Sequence, residues 1–166
     1  RAAGLPIVYG AELTLVSDAL RGIVAGSSAP GWGLAPGAED PGMRLPILAA
    51  SPRGYANLVG AMSERALNEP GQRHPRHDLV NLSEAGGDLI VLTGGRRGPL
   101  MRALRAGGAA PARRVLDGLV DAFGRDHVLV EWQAARGDED EVGDVLAELA
   151  RASGTRLVAT SGARMS

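Results

Sequence analysis

Gly4-Leu-Pro-Ile-Val-Tyr-Gly-Ala-Glu-Leu13 decides the reading of this chain. Leu5 to Tyr9 is a short continuous apolar run, the pattern of a parallel strand buried on both faces, and Gly10-Ala-Glu12 reads as the turn that ends it. Such a turn aims one carboxylate out of the strand's end, where α/β folds assemble their chemistry. Glu12 is therefore a candidate metal ligand.

Four further apolar runs follow, Leu45 to Ala49, Leu89 to Leu92, Val128 to Trp132 and Leu157 to Thr160. Helical patterns lie between most of them. Pro52 to Leu67 places Tyr55, Leu58, Val59 and Met62 at helical spacing after Ser51-Pro52, residues suited to N-cap and N1. Pro99 to Arg105 and Pro111 to Phe123 form a second helical pair, with Val115, Leu116, Leu119, Val120 and Phe123 on one face. Asp138 to Ala152 is acidic at its start, as the helix dipole favours, and apolar at Val142, Val145, Leu146 and Leu149. Strand and helix alternate, which predicts an α/β fold of parallel strands with right-handed crossovers. The alternation alone allows a closed barrel or an open doubly wound sheet. Gly26 to Gly42, rich in Gly, Pro, Ala and Ser, and the polar stretch Asn68 to Asp78 read as loops.

The 166 residues suit one domain with a single core. That core is built from Leu, Val, Ile and Ala, because the aromatics number only two Trp, two Tyr and one Phe. Every one of the 18 basic residues is Arg. Without lysine there is no Schiff-base, P-loop or lysine-nucleophile chemistry. A formal net charge of −1 provides no long-range field for DNA, so any DNA binding is expected elsewhere. No cysteine is present, which excludes disulfides and thiolate ligands and leaves the cytoplasm as the default compartment. No apolar run approaches the ~20 residues that span a bilayer.

Taken in order, the Gly-Ala-Glu turn, Leu45-Pro-Ile-Leu-Ala-Ala50, Gly54-Tyr-Ala-Asn-Leu58, Asp88-Leu-Ile-Val-Leu-Thr-Gly94 and Arg156-Leu-Val-Ala-Thr160 resemble the PHP (polymerase and histidinol phosphatase) domain of bacterial C-family DNA polymerases, in the error-prone, polymerase III alpha-like branch. Their order carries the weight, since each motif is short and apolar. The resemblance implies a single PHP-like domain over residues 1–166, a partial distorted (β/α)7 barrel of parallel strands. It also implies a fragment that lacks the family's N-terminal strands, with their histidine pair and Thr-Asp-His motif, and the polymerase palm downstream of Ser166. The strand Leu5 to Tyr9 would then have an open edge, and apolar surface would be exposed.

In metal-retaining members of the family, the resemblance implies a bridging carboxylate at Glu12 and further ligands at four alignable positions. Here those positions are Arg44, Gly95, Gly162 and Arg164, the last two within Ser161-Gly-Ala-Arg-Met165. None of these side chains binds a cation, and a guanidinium repels a divalent ion where an imidazole would hold it. Glu12 is expected to persist as a residual ligand position that pairs with Arg44 or Arg164. No cofactor is expected in this segment.

Thr93-Gly-Gly-Arg-Arg-Gly98 follows a strand and opens a helix, so its backbone could hold a phosphate with Arg96 and Arg97 adding charge. It lacks GxGxxG spacing and a Walker lysine, which favours a plain turn. His74-Pro-Arg-His77-Asp78 reads as a solvated loop, His127 as a strand-edge residue, and Glu131 and Trp132 as packing. Asp138-Glu-Asp-Glu141 reads as the acidic first turn of its helix. Ser17 and Ser63 have no recognisable His and Asp partners.

The resemblance implies a parent DNA-directed DNA polymerase active in damage-tolerant synthesis, repair and replication, with magnesium held by palm carboxylates outside this chain. The segment itself is expected to be non-catalytic and structural, with the polymerase body of the same chain as its partner. DNA would be reached only through the parent, accessory replication or mutagenesis proteins are further candidate partners, and no membrane is involved. A free-standing metal-dependent phosphoesterase and a non-enzymatic interaction module remain as alternatives.

Overall fold

A computed structural model of the chain describes residues 7–15, 42–68, 76–77, 79–84, 87–133 and 139–161. They form a mixed α/β domain in the order β1 (Gly10–Leu15), β2 (Met43–Ala49), α1 (Pro52–Asn68), β3 (Arg76–His77), α2 (Leu79–Glu84), β4 (Leu89–Leu92), α3 (Pro99–Gly107), α4 (Ala109–Phe123), β5 (Val128–Gln133), α5 (Glu139–Ser153) and β6 (Arg156–Thr160). Single 3-10 turns, Gly95–Arg97 and Arg125–His127, precede α3 and β5.

The six strands make one sheet in the order β3-β1-β2-β4-β5-β6. Parallel pairing holds for β4 with β5, β5 with β6 and β1 with β3. The expectation of a wholly parallel sheet is corrected at β2, which runs antiparallel to both β1 and β4. The first strand is also displaced. Ile7, Val8 and Tyr9 are exposed and outside any strand, whereas Gly10, Ala11 and Glu12, expected as a turn, begin β1. The reason is burial on two unequal faces: Leu13 and Leu15 enter the core while Glu12 faces the other side, an alternation that a uniformly apolar run cannot supply. Nor is β1 an edge, since β2 and β3 flank it.

Alternation also governs β2, where Met43, Leu45 and Ile47 are fully buried and Arg44, Pro46 and Leu48 are only half-buried. Cross-strand pairs Leu13 with Leu45 and Leu15 with Met43 join the two strands on the core face. Pro46 lacks an N–H, and the ladder to β4 begins only at Ile47, so the proline occupies a stretch paired on one side. The same core cluster takes in Val91, Val128 and Val130 from the parallel strands, Leu100, Val115, Leu116 and Leu119 from α3 and α4, and Leu146 and Leu149 from α5.

Helices α1, α3, α4 and α5 lie where the apolar spacing predicts them. On α1 only part of the expected face is used: Leu58 is buried and Met62 packs against the core, while Tyr55 and Val59 stay exposed. Tyr55 instead meets Tyr9, ring centroids 5.3 Å apart at 55°. The polar stretch Asn68 to Asp78 is corrected where it is described, because Asn68 ends α1 and Arg76–His77 pair with Thr14 and Leu15 as β3. The loop expected over Gly26 to Gly42 lies outside the described residues except for Gly42. No described helix is long and apolar enough to cross a membrane.

The N-terminus of α1 is tied to the residue before β4. Ser51 Oγ caps the Gly54 N–H at 3.1 Å, the Ala50 N–H donates to the Asp88 carbonyl at 2.8 Å, and Arg53 Nε pairs with the Asp88 carboxylate. Gly54 is required there, since a Cβ would stand 2.0 Å from the Asp88 carbonyl oxygen. Gly54→Ala should therefore force backbone apart and cost about 1–3 kcal/mol, a melting-temperature loss of roughly 2–4 °C per kcal/mol by calorimetry. The hydrogen bond from the Arg53 side chain holds the Asp88 carboxyl below its ordinary value. With the folded value depressed, its contribution is present above the ordinary carboxylate range and lost as pH falls through the folded value. Asp88→Asn should remove that acid-sensitive component, so wild type and variant should converge in melting temperature at low pH.

Candidate functional site

The face of β1 and β2 turned away from the core carries Glu12, Arg44 and Pro46. Register pairs Glu12 directly with Pro46 and Thr14 with Arg44, so Glu12 and Arg44 are diagonal neighbours on one face, a separation that long side chains bridge. Glu12 Oε1 lies 3.6 Å from Arg44 Nε, and both side chains are 27% exposed. The expected pairing with Arg44 is thus present. Arg164 and Gly162 lie outside the described residues.

Opposite this pair, the connection from β4 to α3 closes the site. Gly94 and Gly95 have φ of 84° and 42°, and both make contacts that exclude a side chain. A Cβ on Gly94 would sit 2.0 Å from the Arg44 carbonyl oxygen, and one on Gly95 would sit 2.2 Å from the Gln133 carboxamide carbon. The turn is thus pressed between β2 and the end of β5. Arg96 and Arg97 follow in the exposed 3-10 turn, with the Arg96 carbonyl accepting from Arg105 Nη1 at 3.2 Å. Pro99 then opens α3 at a position where its missing N–H has no cost.

Glu12, Arg44, Pro46, Gly94, Arg96, Arg97 and Gln133 line a cavity of about 310 Å³. Behind it is a buried polar network that the sequence did not disclose. Glu131, expected only to pack, is 3% exposed, and its Oε1 accepts from Gln133 Nε2 at 3.0 Å and from Thr160 Oγ1 at 2.6 Å. Its backbone N–H donates to Thr93 Oγ1 at 2.9 Å. Among the described residues, Glu131 Oε2 and Trp132 Nε1 are buried without a hydrogen-bond partner. The available signal was a carboxylate and a carboxamide two residues apart at the end of an apolar strand, hence on one face.

The other candidates disperse. His77, expected in a solvated loop, is buried in β3, while His74 and Asp78 lie outside the described residues. His127 closes the turn before β5, with Nδ1 2.9 Å from the Leu89 carbonyl oxygen. Ser63 is exposed on α1, and Ser17 is outside the described residues. Glu141 is exposed near the start of α5. Among the described residues, no three His, Cys, Asp or Glu side chains converge to hold a metal.

An α/β domain whose strand ends carry such a pocket is the form in which comparison with known proteins gives a family. The PHP domain family matches residues 1–135, and the chain belongs to it. It is similar to the error-prone DNA polymerases of Mycolicibacterium paratuberculosis, 38% identical over 158 residues, and of Cutibacterium acnes, 39% identical over 166. These alignments cover 94% and 98% of the chain but 13% of each relative. The Escherichia coli DNA polymerase III subunit alpha is 32% identical over 120 residues, 72% of the chain and 10% of that protein. The chain thus spans about an eighth of the length of the error-prone polymerases it matches.

The Glu131 network makes a direct prediction. Glu131→Leu would strip Gln133 Nε2 and Thr160 Oγ1 of their acceptor inside the fold, at a cost of about 1–3 kcal/mol. Thr160→Val removes one donor only and should cost less than Glu131→Leu in a chemical denaturation series.

Proposed function

We propose that the chain is an N-terminal PHP domain of an error-prone DNA polymerase, and that it serves its polymerase structurally and not as a hydrolase. On this reading the six strands are part of a distorted (β/α)7 barrel. The parent adds deoxynucleotides to a primer during damage-tolerant synthesis in the cytoplasm, with magnesium held by palm carboxylates outside this chain. DNA is reached through that palm, and the polymerase body is the domain's principal partner. Support comes from the similarity to error-prone polymerases over most of the chain. Exposed Ile7, Val8 and Tyr9 beside Tyr55 also suit a domain that packs against a larger body.

The observation that carries the structural reading is the Glu12–Arg44 pair. A divalent ion placed on Glu12 would stand close to a guanidinium. Two unit charges about 4 Å apart near a protein surface interact by about 4 kcal/mol, a divalent ion doubles that, and here the term is repulsive. Gly95 offers no side chain and no room for one. The residues on this face do not fit a resident metal, and no hydrolytic step is assigned to them.

Elemental analysis and zinc or manganese titration should find no stoichiometric site, whereas micromolar one-to-one binding that disappears in Glu12→Gln would overturn the metal-free reading. In the full-length polymerase, Gly54→Ala should lower the melting temperature and leave kcat per folded molecule unchanged. A loss of kcat without a loss of stability would refute the structural role.

A further inference from the structure

The turn Thr93-Gly-Gly-Arg-Arg-Gly98 reads in isolation as a plain connection, but the cavity gives it neighbours from another part of the chain. Arg96 and Arg97 from the turn and Arg44 from β2 converge on one cavity, with Glu12 the single carboxylate in its lining. Three guanidiniums against one carboxylate leave a formal surplus of two positive charges. Guanidiniums stay charged at any physiological pH, and their planar forks match phosphate oxygens in bidentate fashion. The volume of about 310 Å³ lies at the lower end of the ~300–1,000 Å³ of small-ligand pockets, room for a phosphate with a small ester group and not for a duplex. Gly94 and Gly95 bring only backbone to the cavity wall, so no turn side chain fills the space. The electrostatics that disfavour a cation therefore favour an anion at the same place.

We propose that this cavity holds a terminal phosphate, either inorganic phosphate or the phosphate monoester at the end of a nucleotide or oligonucleotide, directly on Arg44, Arg96 and Arg97 without a metal ion. The site goes beyond the structural role and requires only the pocket, so it stands or falls separately from that role. Glu12 opposes the ligand in this arrangement, and its pairing with Arg44 competes for one of the three guanidiniums. Neutralising Glu12 should accordingly tighten phosphate binding, the opposite of its effect on a metal site.

Isothermal titration calorimetry of the full-length protein in EDTA would test this, using inorganic phosphate, thymidine 5′-monophosphate, and a trinucleotide with and without a 5′-phosphate. Saturable binding should persist in EDTA, weaken roughly tenfold in Arg97→Gln and further in the Arg96→Gln, Arg97→Gln double variant, and strengthen in Glu12→Gln. Arg114→Gln, on α4 outside the cavity lining, should bind as wild type does. Equal affinity for inorganic phosphate and the phosphorylated trinucleotide would identify the free ion as the source, and tighter binding of the trinucleotide would identify a strand end. The proposal is overturned by no saturable binding, by binding that EDTA abolishes, or by equal affinity for the two trinucleotides. It is overturned equally if the arginine variants bind as wild type or if Glu12→Gln weakens the complex.

Discussion

The register between β1 and β2 is the constraint on which the rest depends. Because side chains alternate with a period of two, the pairing of Leu13 with Leu45 in the core also fixes Glu12 beside Pro46 and within reach of Arg44 on the opposite face. A slip of one residue would bring Glu12, Thr14 and Arg44 into the core and turn Leu13, Leu15 and Leu45 out of it. Hydrophobic burial thus holds the charged pair in place without any contribution from the pair itself, since a half-exposed ion pair contributes only about 0–1 kcal/mol. The site's geometry is inherited from the core.

That inheritance extends through the Gly94-Gly95 turn. Its backbone approaches the Arg44 carbonyl on one side and the Gln133 carboxamide on the other, so β2, β4 and β5 meet at one point. Gln133 is in turn bonded to Glu131, and Glu131 to Thr160 of β6. Four strands therefore contribute to one wall. Changes at this end of the sheet should be felt together, because side chains that share a network do not respond independently.

Much of the fold was legible because continuous apolar runs and helical spacing mark β4, β5, β6 and the four longer helices well. What failed did so for identifiable reasons. Leu5 to Tyr9 is more apolar than Gly10 to Leu15, yet the true strand has one buried and one polar face, and its signal is alternation and not mean hydropathy. A two-residue strand such as β3 leaves almost no pattern, and its partner β1 is some sixty positions away in sequence. Direction is likewise hidden, because the antiparallel placement of β2 depends on packing among segments distant in sequence. At the site, the pairing of Glu12 with Arg44 was legible through the family resemblance, whereas Glu131 was not: a buried carboxyl group shows in sequence only as a polar letter in an apolar strand.

The contact between Gly95 and Gln133 also bears on how such a domain can change over generations. Gly95 stands where the family resemblance aligns a metal ligand, and a side chain returned there would meet Gln133 at 2.2 Å and a backbone with φ of 42°. Regaining a ligand would thus require a second replacement at Gln133 and release of the Glu131 network, in addition to replacing Arg44. Each intermediate on that route loses stability before any metal is gained. The arrangement acts as a ratchet, in which packing that settled around a lost function makes its recovery by single steps unfavourable.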